Sequence, residues 1–163
     1  MSARDDPRLA TPGHAVLSPS GRYELEVVEG AYRADEGRGR WWRIRIRKRH
    51  GEVALDWSMR FSARFATEVL WDERVPDRAW VNSSDVGTFF CDRGRDEKWS
   101  CHSLGPSGIA SGEPRVPKLL LDLHPEDFGA KGRERARRVL REQGRSSGSL
   151  DLSTEDTRLM KPR

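Results

Sequence analysis

The stretch Trp41-Trp42-Arg43-Ile44-Arg45-Ile46-Arg47-Lys48-Arg49 alternates apolar and cationic side chains with a period of two. That is the period of a β-strand, whose successive side chains point to opposite faces of a sheet. It predicts Trp42, Ile44 and Ile46 on a buried face and Trp41, Arg43, Arg45, Arg47 and Arg49 on the other. One segment therefore implies a half-buried sheet with a cationic ladder on its outer surface.

The flanking sequence extends this reading. Ser18-Pro19-Ser20-Gly21 is turn chemistry, and Tyr23, Leu25 and Val27 then alternate with Arg22, Glu24 and Glu26, which predicts a preceding strand. His50-Gly51-Glu52 is a turn leading to Val53, Leu55 and Trp57. Phe61 to Trp71 fits both helical spacing (Phe61, Phe65, Val69) and strand spacing (Phe65, Thr67, Val69, Trp71), and its β-branched and aromatic content favours the strand. Ala79–Asn82 and Thr88–Cys91 read as strands joined by a hairpin turn, Ser83 to Gly87, in which Gly87 can take a positive φ. A turn across Arg93 to Glu97 leads to Trp99–His102. Gly105 to Pro117 reads as loop, Lys118–Leu123 as a last strand, and about 125–143 as a helix with Pro125 in its first turn and Gly144 as its stop. Gly129 and Gly132 weaken the first half of that helix.

The expected fold class is mainly β: an antiparallel meander or small sandwich of about seven or eight strands with one C-terminal helix. Residues 1–14 form a polar arm, 15–144 a single domain, and 145–163 a polar tail. Hydrophobic and charged residues are nearly equal in the 163-residue chain, 35% and 34%, which implies a modest core. Six tryptophans offset this by the area each can bury.

Net charge is only +4, from 30 basic and 26 acidic residues, so composition alone is weak support for a polyanionic partner. Met1 to Thr11 has no apolar run behind its charges, and no stretch reaches the roughly 20 apolar residues needed to cross a bilayer. The expectation is a soluble cytoplasmic protein, without membrane association, in which Cys91 and Cys101 normally stay reduced, although a hairpin across Arg93 to Glu97 would bring them near enough for a disulfide under oxidation.

Ser18-Pro19-Ser20-Gly21-Arg22-Tyr23 resembles the opening turn and strand of a β-propeller blade, with Ser20 where aspartate is usual. Leu70-Trp71-Asp72, Arg78-Ala79-Trp80-Val81 and Thr88-Phe89-Phe90 are similar to a second blade. The resemblance covers residues 16–104 and implies antiparallel meanders; two blades are too few to close a ring. It carries no catalytic residues.

The ladder of Arg43, Arg45, Arg47 and Arg49, with Trp41 at its end to stack a base, is the first candidate binding surface. The competing reading pairs its arginines with Glu24, Glu26, Glu52 or Asp56 on adjacent strands. A second basic cluster, Arg133, Arg137, Arg138 and Arg141 with Arg135 and Arg145, flanks an apolar stripe of Ala136, Val139, Leu140 and Gln143 on the C-terminal helix. Cys91, Cys101 and His102 are too few for a zinc site, and no metal or cofactor is expected. Asp72, Glu73, Asp77 and Asp85 are turn acids near Trp71 and Trp80, and no catalytic motif is present.

The function expected is that of a non-catalytic protein–protein interaction module of accessory, adaptor or toxin-neutralising type, presenting a rigid β surface to a protein partner or a second copy. The alternative is a nucleic-acid binder using the ladder, and a third reading is a hydrolase.

Overall fold

The computed structural model describes residues 5–148. Among them, nine strands form two antiparallel sheets: β1 (Val16–Leu17), β2 (Tyr23–Ala31), β3 (Arg40–Lys48), β4 (Val53–Asp56), β5 (Phe61–Ser62), β6 (Thr67–Trp71), β7 (Ala79–Ser83), β8 (Gly87–Arg93) and β9 (Trp99–Ser103). The first sheet runs β1-β2-β3-β4, with β5 also pairing β3, and the second is the meander β6-β7-β8-β9. The protein is mainly β, and neither sheet closes into a barrel.

Alternation along the strands builds the core. Leu25, Val27, Ile44 and Ile46 from the first sheet meet Val69, Val81, Phe89 and Cys91 from the second, with Phe61 beside them. The intervening residues Leu70 and Trp80 point to the opposite face of the second sheet, where Leu104, Leu119, Leu120 and Phe128 cover them. The molecule is thus layered sheet on sheet on helix. At the centre of the outer layer Trp80 is fully buried, and its indole N–H donates to Asp72 Oδ2 at 2.8 Å.

The helices are α1 (Gly105–Ser111), α2 (Lys118–Leu123), α3 (Pro125–Phe128) and α4 (Ala130–Gly148). Three expectations are corrected here. Lys118–Leu123 is helical, because Leu119 and Leu120 bury their side chains together against the second sheet while Leu121 and Asp122 stay exposed, a helical burial pattern. The segment from Gly105, expected to be loop, opens with α1, whose first turn contains Pro106. The helix expected at about 125–143 is divided at Gly129 and then runs on through Gly144 to Gly148. Gly132 makes the division close-packed: a Cβ there would lie 1.8 Å from the Asp127 carbonyl oxygen. The expected tail beyond Gly148 lies outside the described residues.

The N-terminal arm is structural. Leu9 and Ala10 are buried, and the Ala10 N–H donates to Val69 C=O at 2.7 Å, which covers the outer edge of β6. The Arg8 guanidinium and backbone N–H both bond Asp6 and hold its carboxyl at about 2, well below the usual range. Asp77, at φ 62°, accepts from Ser20 Oγ and the Arg22 guanidinium, tying the Ser18–Gly21 turn to the β6–β7 loop.

Cys91 and Cys101 sit opposite each other on β8 and β9 and form a disulfide. This corrects the reduced-thiol expectation: antiparallel register across the Arg93–Glu97 turn brings the two sulfurs within bonding distance. Among the described residues no helix is long and apolar enough to cross a membrane.

Candidate binding surface: two arginine clusters

β3 lies between β2 and β4, so its outward arginines have a neighbouring strand on each side. Arg45 is registered opposite Asp56, and Arg43 reaches the same carboxylate diagonally; both guanidinium groups lie 3.3 Å from Asp56 Oδ2. Arg47 reaches diagonally the other way, to Glu26 on β2, at 2.9 Å. Arg40 pairs with Glu29, and Lys48 with Glu52. The side chains of Arg43, Arg45 and Arg47 are only 28%, 22% and 30% exposed, and the Nε atoms of Arg43 and Arg45 are buried without a hydrogen-bond partner. Arg49 lies beyond the end of β3 and is exposed.

Trp41 is also engaged. Its ring lies flat over Gly30, where a Cβ would come within 2.2 Å of it, and its indole N–H donates to Ala31 C=O at 3.1 Å. The guanidinium carbons of Arg60 and Arg43 sit 4.9 and 5.6 Å from the ring centroid. The ring is therefore held within the sheet surface by cations of the same chain.

α4 presents a different environment. It packs on α1 and α3 through Gly132 and Ala136, which are buried, and Val139 and Leu140, which are half-buried. Of the stripe expected from the sequence only Gln143 falls outside, on the exposed part of the helix. Lys131, Arg133, Arg135, Arg137, Arg138, Arg141 and Arg145 are all exposed. Among the described residues the α4 arginine that pairs with a carboxylate is Arg135, 3.5 Å from Asp127. Seven basic residues against Glu134 and Glu142 give α4 a charge of +5, compared with +4 for the whole chain, so the rest of the chain sums to −1. The sequence contained this signal, but only when charge is counted element by element.

A pocket of about 310 Å³ lies at the root of α4, between the β7–β8 hairpin, α1 and α3, lined by Asn82, Thr88, Ile109, His124, Phe128 and Val139. Its floor is a buried polar chain in which Thr88 donates to Asn82 Oδ1 at 2.8 Å and Asn82 Nδ2 donates to Glu68 at 2.9 Å. His124 Nε2 lies 3.1 Å from Glu68 Oε2 but off the hydrogen-bond axis, so that buried nitrogen has no partner. His124, Glu126 and Asp127 bring one ligand-type atom each within 4.8 Å of one another, a grouping missed in the sequence although its spacing, His-Pro-Glu-Asp, is short. Arg135 competes for it, bonding the Glu126 carbonyl at 3.2 Å as well as contacting Asp127.

Asp72, Glu73 and Asp77 each accept hydrogen bonds from within the chain. Asp72 is buried and accepts from the backbone N–H groups of Arg74 and Val75 in addition to Trp80. Glu73 accepts from the Lys118 N–H, and the Asp85 backbone N–H donates to Ser83 Oγ. Comparison with protein-family models, curated proteins and solved structures finds no match to this chain.

Proposed function

We propose that the protein is a non-catalytic binding module in which a rigid β-sandwich displays α4 to a polyanionic partner. The observation that carries this reading is the concentration of exposed charge: α4 holds +5 with its cations exposed and, among the described residues, only Arg135 paired with a carboxylate, while Arg43, Arg45 and Arg47 of β3 share their charge with Asp56 and Glu26. A cation already paired at 2.9–3.3 Å must give up that partner to bind another, whereas an exposed, unpaired one gives up only water. The Cys91 side chain faces the inter-sheet core, on the far side of the second sheet from the helices, so the reading does not depend on the redox state of the compartment.

Immobilised heparin serves as a generic polyanion to test this. The protein is expected to be retained and to elute only as salt rises, and the variant Arg133→Gln/Arg137→Gln/Arg138→Gln/Arg141→Gln should elute clearly earlier. Flow-through of the unmodified protein, or identical elution of the two, overturns the reading.

A further inference from the structure

Arg133, Arg137 and Arg141 recur at i, i+4 and i+8 on α4, so they form one ridge with steps of roughly 6 Å. Arg138 and Arg145 lie seven residues apart on the adjoining ridge. The span from Arg133 to Arg145 rises about 18 Å, the axial length over which one strand of a duplex presents about five phosphates. Building on the polyanion reading above, we infer that this face of α4 lies along the sugar–phosphate backbone of a nucleic-acid duplex and binds it without reading base sequence.

The chemistry of the face separates this partner from the others that carry negative charge. Protein interfaces are anchored by aromatic and aliphatic side chains at a desolvated centre. The exposed positions from Ala130 to Ser146 hold Lys131, six arginines, Glu134 and Glu142, with Ala130, Gln143, Gly144 and Ser146 among them, and no aromatic or large aliphatic side chain. A membrane-surface helix needs an apolar face free for the acyl boundary, and the short apolar stripe of α4 lies on its inward side, with Ala136 buried and Val139 and Leu140 half-buried where α4 meets α1 and α3. Single strands are gripped by aromatic rings that stack on bases, and α4 contains no aromatic residue. A face that is predominantly cationic, with Glu134 and Glu142 the acids among its arginines, and free of apolar anchors is what backbone-directed duplex binding uses. Arginine also suits the task, because its planar fork meets two phosphate oxygens at once.

The test is fluorescence anisotropy of labelled short duplex DNA, read as a function of salt. With three to four phosphates contacted, affinity is expected to fall about 40- to 150-fold between about 50 and 200 mM salt. Arg133→Gln/Arg137→Gln/Arg141→Gln should reduce the log–log slope by about three units, while the lysine triple at the same positions keeps most of it. Circular dichroism melting checks that both variants fold like the parent. A second duplex of unrelated sequence should bind with the same affinity within about threefold, and a single strand more weakly. Duplex RNA, with the same backbone charge, should retain the salt slope.

Equal binding by the glutamine triple, tighter binding of the single strand, or strong preference between the two duplexes overturns the inference. Heparin retention without duplex binding at about 50 mM salt overturns it while leaving the polyanion reading in place. Loss of both removes the two together.

Discussion

β3 and α4 each carry a row of arginines, yet the two rows have opposite electrostatic surroundings. On β3 Arg43, Arg45 and Arg47 are about three-quarters buried and share Asp56 and Glu26; on α4 the arginines stand exposed with Asp127 as the partner of Arg135 alone among the described residues. The cause is geometric. A strand inside a sheet has a neighbour about 5 Å away on each side, so an acid on that neighbour falls directly or diagonally opposite each arginine. A helix packed along one stripe has no neighbour on its solvent side, and its cations can be paired only by its own i±3 and i±4 residues. Residue type is the same in both rows, and secondary-structure context decides which row is available to a partner.

The largest expected effect sets the core beneath the ladder against the solvent face of α4. Ile46 is fully buried between the sheets, and Ile46→Ala should cost about 2–5 kcal/mol in urea denaturation. Arg137→Ala, at an exposed position, should change stability by no more than about 0.5 kcal/mol. A loss above about 1 kcal/mol for Arg137→Ala would mean that the outer face of α4 already packs on something, and the contrast between the rows would collapse.

A smaller effect tests whether the sandwich and the helix are energetically separable. The Cys91–Cys101 bond closes a short loop, the two cysteines being 10 residues apart. Its reduction should lower stability by about 2–3 kcal/mol on the chain-entropy account. Heparin elution should stay where it was under conditions in which the reduced protein remains folded. If reduction moves the elution, α4 does not display its charge independently of the β8–β9 hairpin.

The same contrast explains what could be read in the sequence. Strands β2 and β3 were legible because one face is buried against the other sheet, which forces alternation, whereas β7, buried on both faces, and β8 were legible from their aromatic and β-branched content and from the turn between them, where Gly87 takes φ 101°. α2 was not, because a six-residue run of Lys-Leu-Leu-Leu-Asp-Leu has too few residues to separate a helical period from a strand, and only packing against Leu70 and Trp80 decides it. Gly129 and Gly132 mark the first half of the C-terminal helix as weak already in the sequence, but the place of the break, at Gly129, and the close approach at Gly132 depend on the Pro125 and Asp127 carbonyls. The partners of the ladder, Glu26 and Asp56, were readable as soon as strand neighbours were assumed. The relative availability of the two arginine rows was not, because it follows from which row has a neighbour on each side.

The last prediction reverses the neutralisation itself. Asp56 Oδ2 receives both Arg43 and Arg45 at 3.3 Å, in a setting where the acid is 38% exposed. Asp56→Asn should cost about 1–2 kcal/mol, between the value of an exposed ion pair and that of a buried charged hydrogen bond. If pairing is what silences the ladder, then Glu26→Gln/Asp56→Asn, placed on the Arg133→Gln/Arg137→Gln/Arg138→Gln/Arg141→Gln background, should restore part of the lost heparin retention. Restoration means that the two rows differ in their counter-charges, whereas a folded variant that elutes no later than its background means that they differ in access. The second outcome breaks the comparison, because the flat, half-buried presentation of arginines on β3 would then be what denies a partner the approach that a helix ridge allows.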